Sequence, residues 1–188
     1  MDNDRLISRD NVAANLIRSG VMLDGLKTLG IFSAECLDKY GRVKWKDIAP
    51  NVVTTQGKND MMDKYLDRGA AYAATVMGLH TTVGNAASTY NAPTPQVEAT
   101  VIAARLAAPM GAANASSVKA LSPTPLAFSI TGGATISGCF IAIGIAGITV
   151  VGHTTVGSIL FSTGAFTGGN RAVVNGDTLN VTYTLTMT

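Results

Sequence analysis

The sequence predicts a mainly β protein: an antiparallel β-sandwich or jelly-roll-like domain with an N-terminal helical arm and one short amphipathic helix. Residues 178–187 alternate without a break. Leu179, Val181, Tyr183, Leu185 and Met187 fall on one side and Thr178, Asn180, Thr182, Thr184 and Thr186 on the other, the period of two that a half-buried strand requires. Upstream, several short strands are separated by turns rich in Gly and Asn, which makes a sandwich or jelly-roll-like fold the natural architecture. A chain of 188 residues has the length for one domain with its own core and an extension. The predicted organisation is an arm over residues 1–30 and a β-sandwich domain over 31–188, with the helix near 56–67.

In the arm, Ser8 is placed to cap a helix whose Val12, Leu16 and Ile17 share one face before Gly20. Val21, Leu23, Leu26, Leu29 and Ile31 continue an apolar pattern. Two readings stay open: a helix packed on its own domain, or an arm that reaches a neighbour. A strand over Phe32–Leu37, a turn at Tyr40-Gly41 and a strand over Arg42–Ile48 form a predicted hairpin, with Val43 and Trp45 on one side and Arg42, Lys44 and Lys46 on the other. The helix near 56–67 places Met61, Met62, Tyr65 and Leu66 on a stripe, with Thr55 as N-cap and Gly69 as stop. Strands are expected at Tyr72–Met77 and Gln96–Leu106, and a long loop over Ala107–Ser122. Leu126, Phe128 and Ile130 alternate into a Gly132-Gly133 turn, with Ile136–Ile145 as hairpin partner, Ile141, Ile143 and Ile145 opposing Phe140, Ala142 and Gly144. A further strand starts at Ser158, and Asp177 closes the Asn175-Gly176 turn before the last one.

Charge is distributed unevenly. Residues 1–68 hold 11 of the 14 Lys and Arg and 10 of the 12 Asp and Glu, and no formal charge lies between Lys119 and Arg171. Only 14% of the chain is charged, against about a quarter in ordinary soluble proteins. A surface of Ser, Thr, Gly and Ala suits contact with other subunits, where an unpaired charge would have to be desolvated. A net charge of +2 gives no dense cationic face, so direct nucleic-acid binding is not expected.

Signals for chemistry are missing from the pattern. His80 and His153 have no carboxylate or cysteine at ligand spacing, and Cys36 and Cys139 follow no metal-binding or redox spacing and read as reduced thiols. Gly144, Gly147 and Gly152 match no phosphate-binding loop, and no GxSxG elbow occurs. No catalytic, cofactor-binding or metal-ligating residue is predicted, and no enzyme. The apolar run Cys139–Val151 falls short of the roughly 20 residues of a membrane helix. The opening MDNDRLISRD carries no apolar signal core, so synthesis and assembly in a cytoplasm are expected.

Four stretches carry a resemblance: Val43–Ile48, Asn51–Leu66 (NVVTTQGKNDMMDKYL), Leu126–Ile141 (LAFSITGGATISGCFI) and the C-terminal stretch from Gly157 (GSILFSTGAFTGGNRAVVNGDTLNVTYTLTMT). In combination the chain resembles virion structural proteins of tailed bacteriophages. The resemblance implies a non-enzymatic particle component, with capsid decoration (cement) preferred, bound to the major capsid protein on the outer shell and to itself as a dimer or trimer. It implies no cofactor and no membrane partner. A tail, baseplate or fibre protein is the alternative, and a glycan-binding sandwich a lesser one. Val12, Leu16, Ile17, Arg42, Lys44, Trp45 and Lys46 are the candidate interface residues.

Overall fold

The alternating C-terminal segment is a ten-residue strand, and its apolar side lies in the core: Leu179, Val181, Tyr183 and Leu185 are all buried. It belongs to a computed structural model that describes residues 27–66, 72, 74–121, 125–144, 148–152 and 157–188. In chain order the elements are β1 (Thr28–Leu37), β2 (Val43–Val53), α1 (Thr55–Leu66), β3 (Ala74–Thr82), β4 (Val97–Glu98), β5 (Leu106–Ala107), β6 (Val118–Ala120), β7 (Leu126–Ser129), β8 (Ala134–Ile136), β9 (Gly138–Gly144), β10 (Ile159–Ala165), β11 (Arg171–Val173) and β12 (Thr178–Met187). The protein is mainly antiparallel β with one helix among the described residues, in a sandwich-like arrangement. The arm residues Ser8, Val12, Leu16, Ile17 and Gly20 lie outside the described residues, as do Gly69, Ile145 and His153.

Ten strands form one continuous sheet in the order β4-β3-β9-β10-β2-β1-β12-β6, with β5 added on β3 and β7 on β12. The hinge of this sheet is β2. Its first part pairs with β1, from Val43↔Leu37 to Pro50↔Ile31, and its last three residues pair with β10, from Asn51↔Gly164 to Val53↔Ser162. The strand therefore passes from one layer to the other at Pro50, a residue with no N–H to give to a ladder. Phe32, Cys36, Val181 and Tyr183 of one layer meet Met77, Leu79, Cys139, Ile141 and Phe161 of the other. A second cluster, Val76, Phe140, Ala142 and Leu160 with Tyr90 and Ile148, covers the opposite face of β3, β9 and β10. Strand β9 is thus buried on both sides, which explains its unbroken apolar sequence.

The corner is fixed by Asn51. Its Oδ1 accepts from the Gly30 N–H at 2.7 Å and its Nδ2 donates to the Tyr183 hydroxyl at 2.7 Å. A Cβ on Gly30 would lie 2.4 Å from the Asn51 amide nitrogen, so the glycine makes room for this side chain.

Several local expectations are revised by long-range pairing. Strand β1 starts at Thr28, so Thr28–Gly30 belong to the sheet and not to the arm. The Leu126–Ile130 run does not form a hairpin with Ile136–Ile145. Instead β7 pairs with β12, while β9 sits between β3 and β10 in the other layer, and the Gly132-Gly133 segment leads only to the small β8-β11 ribbon. Residues 96–106 are not one strand: β4 and β5 each pair briefly with β3, because the chain between them buckles to bring Arg105 onto Glu98. Within the expected loop at 107–122 lies β6, which pairs with β12.

The helix forms as predicted but with another cap and another face. Thr54, one residue before the predicted cap, is buried and its Oγ1 accepts the Gly57 N–H at 3.0 Å. Gly57 rests on β10, where a Cβ would lie 2.4 Å from the Phe161 carbonyl oxygen. The buried side of α1 is therefore Gly57 and Met61, while Met62 and Leu66 are exposed.

Replacing Asn51 by alanine leaves the Gly30 N–H and the Tyr183 hydroxyl without their partner in a part-buried corner. Asn51→Ala should lower unfolding free energy by about 2 kcal/mol, seen as a lower urea midpoint with an unchanged slope. A midpoint equal to that of the parent chain would show that the corner does not depend on this side chain.

Candidate functional site

Of the predicted interface residues, Val12, Leu16 and Ile17 lie outside the described residues, and the other four sit on the β1-β2 hairpin. Their charges are matched within the chain. Arg42 pairs with Asp38 at 2.7 Å across the turn, and Lys46 pairs with Glu35 at 2.7 Å across the two strands. The pairing of β1 with β2 shifts between Cys36↔Trp45 and Leu37↔Val43, which leaves Lys44 as the extra residue of a bulge, and its ammonium reaches the buried Asp177. That hydrogen bond raises the Lys44 pKa. Trp45 turns inward: its ring meets Phe166 edge-on at 5.6 Å and its Nε1 donates to the Ala172 carbonyl at 3.2 Å. Nor is this stretch of β2 a free edge. Thr167 N–H donates to the Ile48 carbonyl, and Asp47 accepts from Thr167 Oγ1, Gly168 N–H and Arg171. Burial alone would raise the Asp47 pKa, but the Arg171 hydrogen bond and the others outweigh it and hold it below the usual value.

Chemically versatile side chains gather on the far face of β3, β9 and β10. Arg105 makes a two-pronged pair with Glu98, Nε to Oε1 and Nη2 to Oε2, both at 2.7 Å. It also donates to the Tyr90 hydroxyl and to the carbonyls of Ile148 and Gly152, while the Gly152 N–H donates to Glu98 Oε2 at 2.6 Å. Nearby, His80 lies 3.1 Å from Ser137 Oγ through Nδ1, and 3.1 Å from the Cys139 carbonyl and 3.2 Å from Thr163 Oγ1 through Nε2. A carbonyl only accepts, so the neutral ring carries its proton on Nε2. Burial is the main reason that the His80 pKa falls to about 4. Every one of these groups is buried, His80 and Tyr90 completely, and no carboxylate is among the hydrogen-bond partners of His80. The arrangement staples the 84–105 and 148–152 segments onto the sheet. Among the described residues it holds no base positioned against an accessible nucleophile. Cys36 and Cys139 are free and buried; burial first, then the Asp177 charge, pushes the Cys36 thiol up to about 11. Among the described residues no group of three His, Cys, Asp or Glu side chains is placed to hold a metal ion.

The surface with a distinctive character is the outer face of the β2-β1-β12 layer. Register places Ile31 between Pro50 and Thr184, Ser33 between Ile48 and Thr182, and Glu35 between Lys46 and Asn180. Its described residues are Thr, Ser and Asn with Ile31, Ile48 and Pro50 and the Glu35–Lys46 ion pair, and a shallow concavity lined by Ser33, Glu35, Lys46, Ile48, Asn180 and Thr182 lies across it. At the N-terminal end of β1 the face becomes apolar: Leu29 is 61%, Val52 47% and Met62 54% exposed. There, β1, the end of β2 and α1 enclose a groove with Met61 in its wall and Lys27 and Lys58 at its rim. The sequence pattern identified Thr182 and its neighbours as outward-facing but not this groove, because it arises where β2 changes layers and α1 follows immediately.

No protein-family model matches the chain, and a search of curated proteins finds no match. No described helix is long and apolar enough to cross a membrane.

Two measurements test the buried polar groups. Arg105→Ala leaves the Glu98 carboxylate buried without its bidentate partner and should destabilise the fold by about 3–5 kcal/mol, whereas Arg105→Met with Glu98→Gln should recover much of that loss in the same denaturation assay. For His80, the unfolded chain binds a proton near pH 6.5 and the folded chain only near pH 4. Between these values the unfolded state holds more protons, so stability falls as the pH drops, by about 3 kcal/mol in all. The slope of stability against pH across this window should flatten in His80→Gln; an unchanged slope would remove His80 as its source.

Proposed function

We propose that the protein is a non-enzymatic structural component of a tailed bacteriophage particle. Its preferred place is capsid decoration on the outer shell, where it binds the major capsid protein and further copies of itself, as a dimer or trimer. The observation that carries this reading is the outer face of the β2-β1-β12 layer, nearly free of charge and apolar at one end. Such a face can be buried against a neighbour without desolvating an unpaired charge, its Ile and Pro surface favouring burial and its Thr and Ser hydroxyls requiring hydrogen-bond partners there. Apolar surface buried there contributes roughly 25 cal/mol per Å² before the cost of ordering the partners. The hairpin charges, already matched within the chain, limit mismatched contacts rather than supply affinity. In support stands the resemblance carried by the Asn51–Leu66, Leu126–Ile141 and C-terminal stretches. The N-terminal segment adds a second contact, tethered to the first and so favoured by effective concentration.

Purified protein mixed with decoration-free particles, sedimented and imaged by electron cryo-microscopy, should give density at lattice symmetry positions. A chain lacking residues 1–26 retains all of β1 and should stay folded but lose at least tenfold in particle affinity. Protein found in purified tails, with no binding to heads, would replace decoration by a tail, baseplate or fibre role.

A further inference from the structure

The two layers are joined at a second corner as well as at Pro50, and a space is left beside it. Leu106 and Ala107 pair with Met77 and Val76 of β3, and the Ala108 N–H donates to the Thr75 carbonyl at 2.8 Å. After Pro109 the chain has crossed to the other layer, where Met110 bridges to Leu121 and the Gly111 N–H donates to the Ala120 carbonyl at 2.8 Å. Hydrogen-bonded chain therefore joins the layers on both sides, and the interior is walled like that of a flattened barrel. Layers tied in this way cannot slide together to fill a gap without breaking their ladders. Such a gap is present: a cavity of about 180 Å³ lies between Ile141, Ile143 and Phe161 of one layer and Tyr183 and Leu185 of the other, beside Met110 of the corner. Ile143 and Met110 are half-buried, so the cavity opens at this end of the barrel.

One cation faces this apolar space. Lys119 stands opposite Leu185 in the pairing of β6 with β12, and residues directly opposite share a face of the sheet, so Lys119 is on the inward side with Leu185 and lines the cavity. It has no ion pair among the described residues. Beyond residue 67 the chain has two acids, Glu98 and Asp177, and these are held by Arg105 and by Lys44. A lysine stem lies readily along apolar wall while its ammonium keeps to water, which sets the charge at the opening. Water is a poor filling for the interior, because each molecule needs two to four polar partners and the Tyr183 hydroxyl is already bonded to Asn51.

We infer that this cavity binds a small monocarboxylate whose apolar body is the size of a phenyl ring, with the ring between Ile143, Phe161 and Leu185 and the carboxylate on Lys119. Size follows from volume: an apolar cavity of about 150 Å³ admits benzene, and this one holds about 180 Å³. Charge follows from Lys119, whose ammonium a carboxylate satisfies through charge-assisted hydrogen bonds. One cation on otherwise apolar walls also fixes the orientation, head at the opening and ring inside. An empty apolar space forfeits dispersion contacts on all its walls, so a ligand that fills it stabilises the fold. The site lies between the layers and does not depend on whether copies associate.

The test titrates benzoate, and separately its neutral counterpart benzamide, at neutral pH into the full chain carrying labelled methyl groups. Saturable shifts of the Ile141, Ile143 and Leu185 methyl signals are expected with both, and benzoate should bind tighter by about tenfold or more. Lys119→Met, at a half-buried position that tolerates an unbranched side chain, should lower benzoate to the level of benzamide and leave benzamide unchanged. Lys119→Arg should keep the preference. No saturable shift with either probe would overturn the cavity as a binding site. Equal affinities in the parent chain, or a preference for benzoate that survives in Lys119→Met, would overturn the carboxylate as its ligand.

Discussion

The fold depends on one strand serving two layers. Where β2 passes from β1 to β10, the ladder is interrupted at Pro50, and backbone groups near such a break must find other partners or lose several kcal/mol. Asn51 supplies them, holding the β1 backbone through Gly30 and β12 through Tyr183. With the corner closed, Phe32 and Tyr183 approach to 4.6 Å between ring centres and the apolar sides of both layers face one core. Without it the two layers would share a strand but not an interior.

That corner also positions the surface. As Asn51 points inward, Pro50 and Val52 must point outward by the alternation of the strand, and Thr54, three residues after Asn51, caps α1 directly above β10. The exposed apolar groove is therefore a geometrical consequence of the layer change followed at once by a helix.

The opposite face illustrates how a list of residues can mislead. His80, Ser137, Glu98, Arg105 and Tyr90 are the vocabulary of catalysis, yet here they are buried and bonded in two groups, His80 with Ser137 and Arg105 with Glu98 and Tyr90. Burial keeps His80 neutral and makes Arg105 and Glu98 depend on each other, so the Arg105–Glu98 part of the cluster clamps the mostly irregular 84–105 segment and residues 148–152 onto the sheet. Such a network is specific because a half-satisfied version would be costly.

Some of this was legible in the sequence and some was not. The alternation of residues 178–187, the β1-β2 hairpin, the helix near 56–67 and the turn closed by Asp177 are local, set by side-chain period and turn chemistry, and they form as the sequence predicts. So does the opposition of Ile141 to Phe140 and Ala142, which only the structure shows to serve two different cores. Pairing over long distances was not legible: β7 chose β12 rather than β9, β4 and β5 split around the Arg105–Glu98 clamp, and Lys44 was re-aimed by a bulge onto Asp177. The groove at Leu29, Val52 and Met62 was hidden for the same reason, since an apolar residue in a period-two or helical pattern looks inward until the neighbouring strand and helix are in place. Period and turn chemistry are properties of adjacent residues, so the sequence alone determined these local elements and the mainly β class. Which strands met, and which apolar residues were left outside, depended on free energy shared among segments far apart in the chain, and only the tertiary structure decided that.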